Sequence, residues 1–423
     1  MPTFRSVLFF VFIFVNLSAC QPNGGEAEEE VVWRKGNLHT HSLWSDGDDY
    51  PEMIIKWYKE RGYDFLALSD HNTLAEDEHW SPAHYNRGGE TAFQRYAATF
   101  DSSWVEQKVE NDTLWVRLKT YAEYKSRFEE AGEFLLIKSE EITDGFERKP
   151  IHINATNIAE YIEPQGGTSV RDVMQRNIDA VLAQRSALDV PMFPHINHPN
   201  FGWAITAEDL IALEGEQFFE VYNGHPAVNN YGDDDRPGME LMWDIILTRR
   251  ILNNQEIMFG IAVDDSHNYH EEGLEVSNTG RGWVMVNSAS LNAASVVAAM
   301  EAGDFYSSSG VVLDAVQFDG NQIDITIAAE EGVTYTTSFI GTRAGHDSTS
   351  SAVEVDGAAI TRKYSEEVGA VLAAVEGPHA TYTFNGDELY VRAKIVSSKL
   401  KANPYQENEQ EVAWTQPVLV MQK

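Results

Sequence analysis

Short apolar runs alternate with longer stretches in which apolar residues recur every three or four positions, from about residue 36 to residue 310. The short runs predict buried strands and the longer stretches predict amphipathic helices. The predicted strands cover 63–68, 134–137, 151–155, 190–194, 218–222 and 257–263, and the predicted helices cover 51–62, 170–184 and 240–253. Strands that alternate with helices in this way favour an α/β fold built as a parallel barrel.

The pattern changes beyond residue 310, where short β-branched and aromatic runs are separated by the turn signals Asp319-Gly320, Asp356-Gly357 and Asn385-Gly386. The last of these lies between two such runs and predicts a β-hairpin over 381–392. We therefore expect a small all-β sandwich domain over 313–423. It contains no cluster of candidate ligands, so we assign it packing or substrate-edge roles.

The α/β region is predicted to cover 31–312 and to contain an insertion near 74–130. This insertion is polar and rich in aromatic residues, and its later part, 118–131, has a helical pattern. We expect the aromatic residues mainly to pack the insertion, with walling of a site as the alternative.

The N-terminus resembles a bacterial lipoprotein signal. Arg5 precedes an apolar run over 7–15 that is short for a membrane span, and the run ends in Leu17-Ser18-Ala19-Cys20, which contains the only cysteine. We expect a signal peptide over 1–20, lipidation of Cys20 and an acidic tether over 21–30. The protein would then be an exported, membrane-anchored lipoprotein, periplasmic or at the cell surface; a simple cleaved signal peptide is the alternative.

Net charge excludes one class of partner. The 423 residues include 31 Lys and Arg against 66 Asp and Glu, a formal charge of -35. Such a surface repels duplex nucleic acid. We expect a small-molecule substrate, and membrane contact only through Cys20; the oligomeric state stays open.

Histidines and carboxylates follow the predicted strands. His39 and His41 are two residues apart, and the period of a strand would place both imidazoles on one face, where they can hold a divalent cation such as zinc, manganese or iron. The candidate metal ligands are His39, His41, Asp46, His71, Glu141, His152, His198, Asp265 and His267. A set made only of imidazoles and carboxylates is typical of a multinuclear hydrolytic site.

These motifs resemble the PHP (polymerase and histidinol phosphatase) superfamily of metal-dependent phosphoesterases, and most closely its secreted branch that includes a carbamate-insecticide hydrolase. The matching motifs are His39-Thr40-His41 with Ser45-Asp46-Gly47, Ser69-Asp70-His71-Asn72-Thr73, Glu141-Ile142-Thr143, His198-Pro199 and Asp265-Ser266-His267. The resemblance covers about 36–310. It implies a distorted (β/α)7, TIM-like barrel that holds two or three divalent metals at its carboxyl-terminal face.

The resemblance also implies a ligand set for each metal. The first would take His39, His41, Glu141 and Asp265, the second would share Glu141 and add His152 and His198, and the third would take Asp46, His71 and His267. His195 is an alternative to His198, and Asp264 to Asp265. Asp46 stands where many family members have histidine, and Glu140 departs from the expected pattern.

The expected activity is hydrolysis of phosphomonoesters or phosphodiesters by attack of a metal-bound hydroxide. His71 or His267 is a candidate proton donor if the third metal is absent. Arg281 is a candidate phosphate contact, with a surface salt bridge as its alternative role. Trp203, Asn223 and His225 are candidate pocket residues. Hydrolysis of a carboxylic ester, amide or carbamate is the rival activity, and a lipid-tethered binding module with an inactive barrel is the third hypothesis.

Overall fold

The structure, a computed structural model, describes residues 32–420. The predicted signal peptide over 1–20, the lipidated Cys20 and the acidic tether over 21–30 lie outside the described residues and stay predictions. Between residues 32 and 420, none of the helices is long and apolar enough to cross a membrane.

Four of the seven helices in the described chain lie where the sequence predicts a helical pattern. They are α1 (Pro51–Glu60), α2 (Gly89–Thr99), α3 (Tyr121–Phe128), α4 (Val170–Leu188), α5 (Ala207–Ile211), α6 (Met239–Leu252) and α7 (Ala293–Glu301). The predicted helices at 51–62, 170–184 and 240–253 correspond to α1, α4 and α6, whereas α2, α5 and α7 were not predicted.

The strands of the α/β region precede a second series in the C-terminal part. They are β1 (Trp33–Asn37), β2 (Phe65–Leu68), β3 (His79–Pro82), β4 (Gln107–Glu110), β5 (Thr113–Leu118), β6 (Leu135–Phe146), β7 (Lys149–Thr156), β8 (Phe193–Ile196), β9 (Phe218–Asn223), β10 (Phe259–Val263), β11 (Trp283–Asn287) and β12 (Phe305–Ser308). The second series is β13 (Leu313–Phe318), β14 (Gln322–Ile327), β15 (Tyr335–Arg343), β16 (Ser350–Val355), β17 (Ala358–Tyr364), β18 (Ala370–Glu376), β19 (His379–Thr383), β20 (Glu388–Leu400), β21 (Gln410–Thr415) and β22 (Val418–Leu419).

One large sheet orders its strands β10-β9-β8-β7-β6-β2-β1-β11-β12-β21-β20-β15-β18, with β22 paired to β20. Neighbouring strands among β1, β2 and β6 are parallel, as are β8, β9 and β10, but β7 is antiparallel to both of its neighbours. The mixed α/β class is therefore confirmed. A closed (β/α)7 barrel is not confirmed, because the strand order forms an open path. Just beyond the ends of β1 and β10, the two chain segments are joined by an isolated bridge between Thr40 and Ser266.

Strands β2, β9 and β10 are buried at every position, which explains their nearly continuous apolar sequence. Helix α6 covers β9 and β10 through Trp243, whose ring centroid lies 6.2 Å from that of Phe219. A Cβ atom at Gly260 would stand 3.0 Å from the same indole. Gly260 therefore allows α6 to approach the sheet closely.

The C-terminal strands also form a three-stranded sheet, β13-β14-β19, and a separate hairpin, β16-β17. Phe339 of β15 stacks on Tyr382 of β19 with ring centroids 5.4 Å apart, so the small sheet packs on the large one. Asp356-Gly357 forms a hairpin turn with φ values of 52° and 79°, the positive angles that a type I′ turn requires.

The predicted hairpin over 381–392 is wrong. Strand β19 pairs with β14, whereas β20 pairs with β15 and β21. The turn between them is held by Glu388, whose buried carboxylate accepts hydrogen bonds from the backbone N–H groups of Asn385 and Gly386 and from the hydroxyl of Tyr382. A side chain therefore stabilises this turn in place of cross-strand pairing.

The predicted boundary at 312/313 stays a prediction. Strand β21 pairs with both β12 and β20, so the large sheet continues across that position, and the chain from Val32 onward clusters as one compact unit. The predicted insertion near 74–130 contains β3, β4, β5 and α2, and α3 lies within the stretch predicted to be helical. Its aromatics Tyr96 and Phe100 are buried in a cluster of their own.

Candidate metal centre

The chain segments after β1 and β10 lie side by side and bring the first ligand set together. The backbone N–H of Asp265 donates to the carbonyl of His39, and that of His41 donates to the carbonyl of Ser266. This pairing extends both strands beyond their ends. It places the His39 and His41 side chains next to the Asp265 carboxylate, with Glu141 of β6 facing them.

Four side chains point their donor atoms at a common centre. His39 Nε2 lies 3.1 Å from His41 Nε2, 3.4 Å from Glu141 Oε1 and 3.3 Å from Asp265 Oδ1. His41 Nε2 lies 3.4 Å from Glu141 Oε2 and 3.2 Å from Asp265 Oδ1. Ligands at metal distances of 2.0–2.2 Å around one tetrahedral ion are separated by roughly 3.3–3.6 Å, so these spacings fit a metal.

Glu141 also belongs to a second set. Its Oε1 lies 2.9 Å from His152 Nδ1 and 3.5 Å from His198 Nε2. Its Oε2 is buried and has no hydrogen-bond partner in the described chain, although two imidazole nitrogens lie nearby. Close approach without a hydrogen bond is expected when lone pairs converge on a cation, so the donor set fits a bridging carboxylate.

A third set forms around Asp46 at the mouth of the site. Its Oδ1 lies 3.2 Å from His267 Nε2, 3.4 Å from His71 Nε2 and 3.8 Å from His41 Nδ1. This oxygen is buried and likewise has no hydrogen-bond partner among the described residues. The structure thus brings all nine predicted ligands together, in overlapping groups of three or four side chains that could hold a metal ion.

Backbone strain marks two of these ligands. Asp265 has a φ of 49° and His198 a φ of 25°, in the left-handed region that residues other than glycine seldom adopt. Strain of this kind concentrates at functional sites, where the surrounding structure holds it in place.

The two alternative ligands lie elsewhere. His195 is buried behind His39, with its Nε2 3.5 Å from Glu220 Oε1. Asp264 turns away from the site, since its carboxylate accepts from the hydroxyl of Tyr58 and the backbone N–H of Gly282. Glu140 also points away and accepts from the backbone N–H of Ile162; burial raises the pKa of Glu140 to about 8.

The proposed role of Arg281 needs correction. Its side chain is buried, and its guanidinium donates to the backbone carbonyls of Gly224 and Val276 at 2.8 Å and of Gly273 at 2.7 Å. Arg281 therefore orders loops and is neither a phosphate contact nor a surface salt bridge. The sequence offered Arg281 as a phosphate contact because a guanidinium can bind bidentately, but here backbone carbonyls take up its donors.

Of the candidate pocket residues, His225 lines the cavity above the metal centre. Asn223 is buried below it and donates from Nδ2 to Glu220 Oε2 and Asp265 Oδ2. Trp203 lies outside the cavity, with its ring 4.9 Å from the guanidinium carbon of Arg236.

Sequence reasoning missed Glu220, which sets the orientation of a ligand. His39 Nδ1–H donates to Glu220 Oε1 at 2.6 Å, which fixes the tautomer and leaves His39 Nε2 free to face the centre. Glu220 Oε2 accepts from the backbone N–H of His198 at 2.6 Å, so one carboxylate positions two ligands. A lone carboxylate in the otherwise apolar strand β9 was the available signal.

We expect Glu220→Gln to lower metal affinity by about 10–100-fold, the usual effect of losing a carboxylate that orients a ligating histidine. Titration of metal-free protein with Zn²⁺ against a competing chelator would measure it. Glu216→Gln is the matched control, because Glu216 is buried just before β9 and its carboxylate bonds the backbone of Phe218. Equal affinities for wild type and Glu220→Gln would contradict the orienting role.

The local electrostatics give the histidines of the site different pKa values. Burial, together with the neighbouring His267 and His71, lowers the pKa of His41 to about 3. Burial opposes protonation of His71, but the carboxylates of Glu141 and Asp46 outweigh it and raise the pKa of His71 to about 9. Burial is also outweighed at Glu141, where the surrounding imidazoles hold the pKa well below its usual value. At neutral pH Glu141 is thus ionised and His41 is neutral, the states in which they bind metals, whereas His71 carries a proton that it would lose on binding a metal.

A cavity of about 540 Å³ opens onto the three ligand groups. Phe201 and His225 form one wall, with ring centroids 6.1 Å apart. Arg87, from the inserted segment, also lines the cavity, with its Nη2 3.8 Å from Asp46 Oδ2. Among the described residues that line the cavity, Arg87 is the only lysine or arginine.

Neither protein-family models nor curated protein sequences include a match to this chain. A two-domain protein from Bacteroides vulgatus ATCC 8482, containing a predicted PHP-like metal-dependent phosphoesterase, is 14% identical with a TM-score of 0.41, covering 92% of this chain and 96% of its own. A proposed metal-dependent phosphoesterase from Bifidobacterium adolescentis ATCC 15703 is 13% identical with a TM-score of 0.30, covering 56% and 89%. An amidohydrolase from Chromobacterium violaceum, with bound sulfate and no metal, is 14% identical with a TM-score of 0.29, covering 57% and 90%.

At these identities and TM-scores, the likenesses assign neither a family nor an activity to the chain. The geometry of the metal centre has to carry the functional assignment.

Proposed function

We propose that this chain is a PHP-type metal-dependent hydrolase whose main activity is hydrolysis of phosphoesters. One observation carries the proposal: imidazole nitrogens and carboxylate oxygens of nine side chains converge, and in the innermost group, from β6 and the segments after β1 and β10, they are spaced 3.1–3.4 Å apart. Two of the carboxylate oxygens, Glu141 Oε2 and Asp46 Oδ1, are buried without a hydrogen-bond partner among the described residues. Glu141 Oε1, by contrast, accepts hydrogen bonds from His152 Nδ1 and Asn197 Nδ2. A donor set of this chemistry suits zinc, manganese or iron.

The residues divide into three sites. His39, His41, Glu141 and Asp265 would hold the first ion. Glu141, His152 and His198 would hold the second, and Asp46, His71 and His267 a third. Paired divalent ions, when bound, make water nucleophilic at neutral pH and neutralise charge on phosphoryl oxygens. The chain therefore needs no nucleophilic side chain of its own.

Two histidines at the mouth are suited to move a proton. His267 Nδ1–H donates to the backbone carbonyl of Asp265 at 3.0 Å, and His71 Nδ1 bonds the Thr143 hydroxyl at 2.5 Å. In both residues Nε2 is then directed to the cavity side, near Asp46. With the third site empty, either Nε2 could deliver a proton to the leaving group.

Side chains around the cavity are placed to bind and orient the substrate. Arg87 offers planar, bidentate donors to an anionic group, and Phe201 offers an apolar face to an organic leaving group. Four carboxylates also line the cavity, from Asp46, Asp48, Glu141 and Asp265. Their charge favours hydrolysis of a neutral ester, amide or carbamate as the second candidate activity.

A side-by-side turnover assay tests the two activities. Metal-replete protein starting at residue 21 would be given 4-nitrophenyl phosphate, bis(4-nitrophenyl) phosphate and 4-nitrophenyl N-methylcarbamate. We expect kcat/KM for one of the phosphate esters to exceed that for the carbamate by at least about tenfold, a difference of roughly 1.4 kcal/mol in transition-state binding. Turnover of the carbamate alone would move the assignment to carbonyl hydrolysis, and no turnover by metal-loaded protein would favour the binding module.

We further propose that the protein is an exported lipoprotein anchored through Cys20, supported by Arg5, the apolar run over 7–15 and the sequence Leu17-Ser18-Ala19-Cys20. The open sheet path is proposed to correspond to a distorted (β/α)7 barrel interrupted between β10 and β1. The strands beyond residue 312 are proposed to act as a β-sandwich domain that supports this barrel.

A further inference from the structure

A second cavity, of about 330 Å³, lies on the other side of the loop that follows β10. We call it the aromatic cavity, because Trp57, Tyr63 and Trp283 form its walls, together with Lys35. Asn268 lines both this cavity and the one above the metal centre. The two cavities are therefore neighbours separated by one loop.

Lys35 places an ammonium group between two aromatic rings. Its Nζ lies 3.9 Å from the ring centroid of Tyr63 and 4.0 Å from that of Trp283. Within residues 32–420, no ion pair or hydrogen bond includes Lys35 Nζ; only the backbone N–H of Lys35 bonds a carboxylate, that of Asp64. The ammonium group thus lies against two ring faces, and the nearby carboxylates of Asp64 and Asp264 act on it without a direct hydrogen bond or ion pair.

Lys401, which lines the same cavity, differs from Lys35 because its ammonium group has hydrogen-bond partners. Its Nζ donates to Glu409 Oε1 at 2.7 Å and to the hydroxyl of Tyr222 at 2.7 Å. Burial lowers the pKa of Lys401 and of Lys35 to about 8 in each case. Both ammonium groups are poorly solvated, but only Lys401 has a carboxylate within hydrogen-bond distance.

Two further donors in the aromatic cavity lack acceptors. Trp283 Nε1 and the Tyr63 hydroxyl are buried and have no hydrogen-bond partner in the described chain, and these residues are only 9% and 3% exposed. An indole N–H and an ammonium can donate but cannot accept. A buried donor without an acceptor costs about 1–3 kcal/mol, so the cavity is complementary to a group that brings acceptor oxygens.

We propose that the aromatic cavity is a binding site for a small aromatic carboxylate. The carboxylate accepts hydrogen bonds from Lys35 Nζ and Trp283 Nε1, and the aromatic body packs on the ring of Trp57. The volume is near the lower end of small-ligand pockets, which span about 300–1,000 Å³.

Charged side chains at the edge of the cavity further restrict the class of ligand that it would bind. Arg61 lies with its guanidinium carbon 4.2 Å from the Trp57 ring centroid and adds positive charge. Glu271 and Glu272 are exposed lining residues, and Glu411 pairs with Lys399 at 3.3 Å. These outer carboxylates repel a polyanion, so a single buried negative charge on an apolar body fits better than inorganic phosphate.

Benzoate is the probe that tests this site, on metal-loaded protein. Its binding would be followed by calorimetry and by the ¹H–¹⁵N resonance of the Trp283 indole, identified with Trp283→Phe. Benzoate at the metal centre would leave that resonance unchanged. We expect Lys35→Met to weaken benzoate binding at this site by at least about tenfold, as the loss of a charge-assisted hydrogen bond should. Lys56→Met, which removes an equal charge from the exposed side of α1, should change it less than about twofold.

Three results would overturn the proposal. Benzyl alcohol binding as tightly as benzoate would make the cavity merely apolar, and an unshifted Trp283 resonance under saturating benzoate would mean that no such site exists. If Lys35→Met bound benzoate as tightly as the wild type, the Lys35 ammonium would not be part of the binding site. Should that variant fail to fold, Trp283→Phe serves instead, because it keeps a ring and loses the N–H donor, and it should weaken benzoate binding measured by calorimetry.

Discussion

Replacing Glu141 by glutamine should strip the innermost metals from the protein and abolish hydrolysis. Glu141 Oε1 lies 3.4 Å from His39 Nε2 and 2.9 Å from His152 Nδ1, while Oε2 lies 3.4 Å from His41 Nε2. Glutamine keeps the volume but loses the negative charge and one of the two oxygens. Because loss of an orienting partner alone costs about 10–100-fold in affinity, loss of the shared ligand should cost more than about 100-fold. Metal content after dialysis and kcat/KM on the best ester would measure both effects.

The neighbouring Glu140 supplies the matched control. It is also fully buried, but its carboxylate bonds the backbone N–H of Ile162 and faces away from the ligands. Since burial raises the pKa of Glu140 to about 8, it is mostly protonated at neutral pH, and glutamine resembles that state. Glu140→Gln should keep its metal and activity. A Glu141→Gln variant that retains both would remove the bridging carboxylate from the proposed site.

The sequence predicts the ligands of this centre better than their supports. His71 and Asp265 follow apolar strands, and the ends of neighbouring strands meet in space, so their convergence could be expected from the pattern. Glu220 could not be assigned in that way, because its role depends on the approach of β9 to the segment after β1. Which partner a buried carboxylate meets is decided by three-dimensional packing, and local sequence carries little information about it.

Arg281 shows the opposite error. Its guanidinium was a candidate phosphate contact, yet it donates to three backbone carbonyls inside the protein. Arg87, which does line the cavity, lies in a segment with no recognisable motif. Its proximity to Asp46 follows from the packing of Gly88, where a Cβ atom would stand 2.1 Å from the Asp48 carbonyl oxygen.

The fold was predictable to a similar degree. Positions of buried strands follow from apolar runs, but a run does not encode direction, so the antiparallel placement of β7 was missed. The Asn385-Gly386 turn was read as a hairpin because its composition is the same whether the flanking strands pair or separate. Only Glu388, which satisfies that turn internally, distinguishes the two cases.

Replacing Arg392 by methionine should destabilise the protein by about 3–5 kcal/mol, the cost of leaving one member of a buried ion pair without its partner. Arg392 of β20 donates from Nε to Asp244 Oδ1 at 2.8 Å and from Nη2 to Asp244 Oδ2 at 2.6 Å. Asp244 belongs to α6, and the two residues are only 1% and 3% exposed. Methionine fills the space of the aliphatic part of the arginine side chain, so the loss of stability comes mainly from the Asp244 carboxylate, which is left buried without its partner. Urea unfolding at a fixed metal concentration would give the free energy of unfolding.

A second ion pair between β20 and α6 is partly exposed to solvent, so it distinguishes the effect of burial from that of removing a charge. Lys394 of β20 bonds Glu240 of α6 at 2.6 Å, but these side chains are 28% and 24% exposed. Lys394→Met should therefore cost less than about 1 kcal/mol, because water already solvates both charges. Equal losses in the two variants would mean that burial does not strengthen the Arg392 pair.

The same experiment tests the domain boundary if unfolding is followed by both fluorescence and loss of metal binding. A single transition that shifts with Arg392→Met would mean that the strands beyond residue 312 unfold together with the metal-binding sheet. Two separate transitions would instead support the boundary predicted at 312/313, with α6 docking on an independently stable β domain.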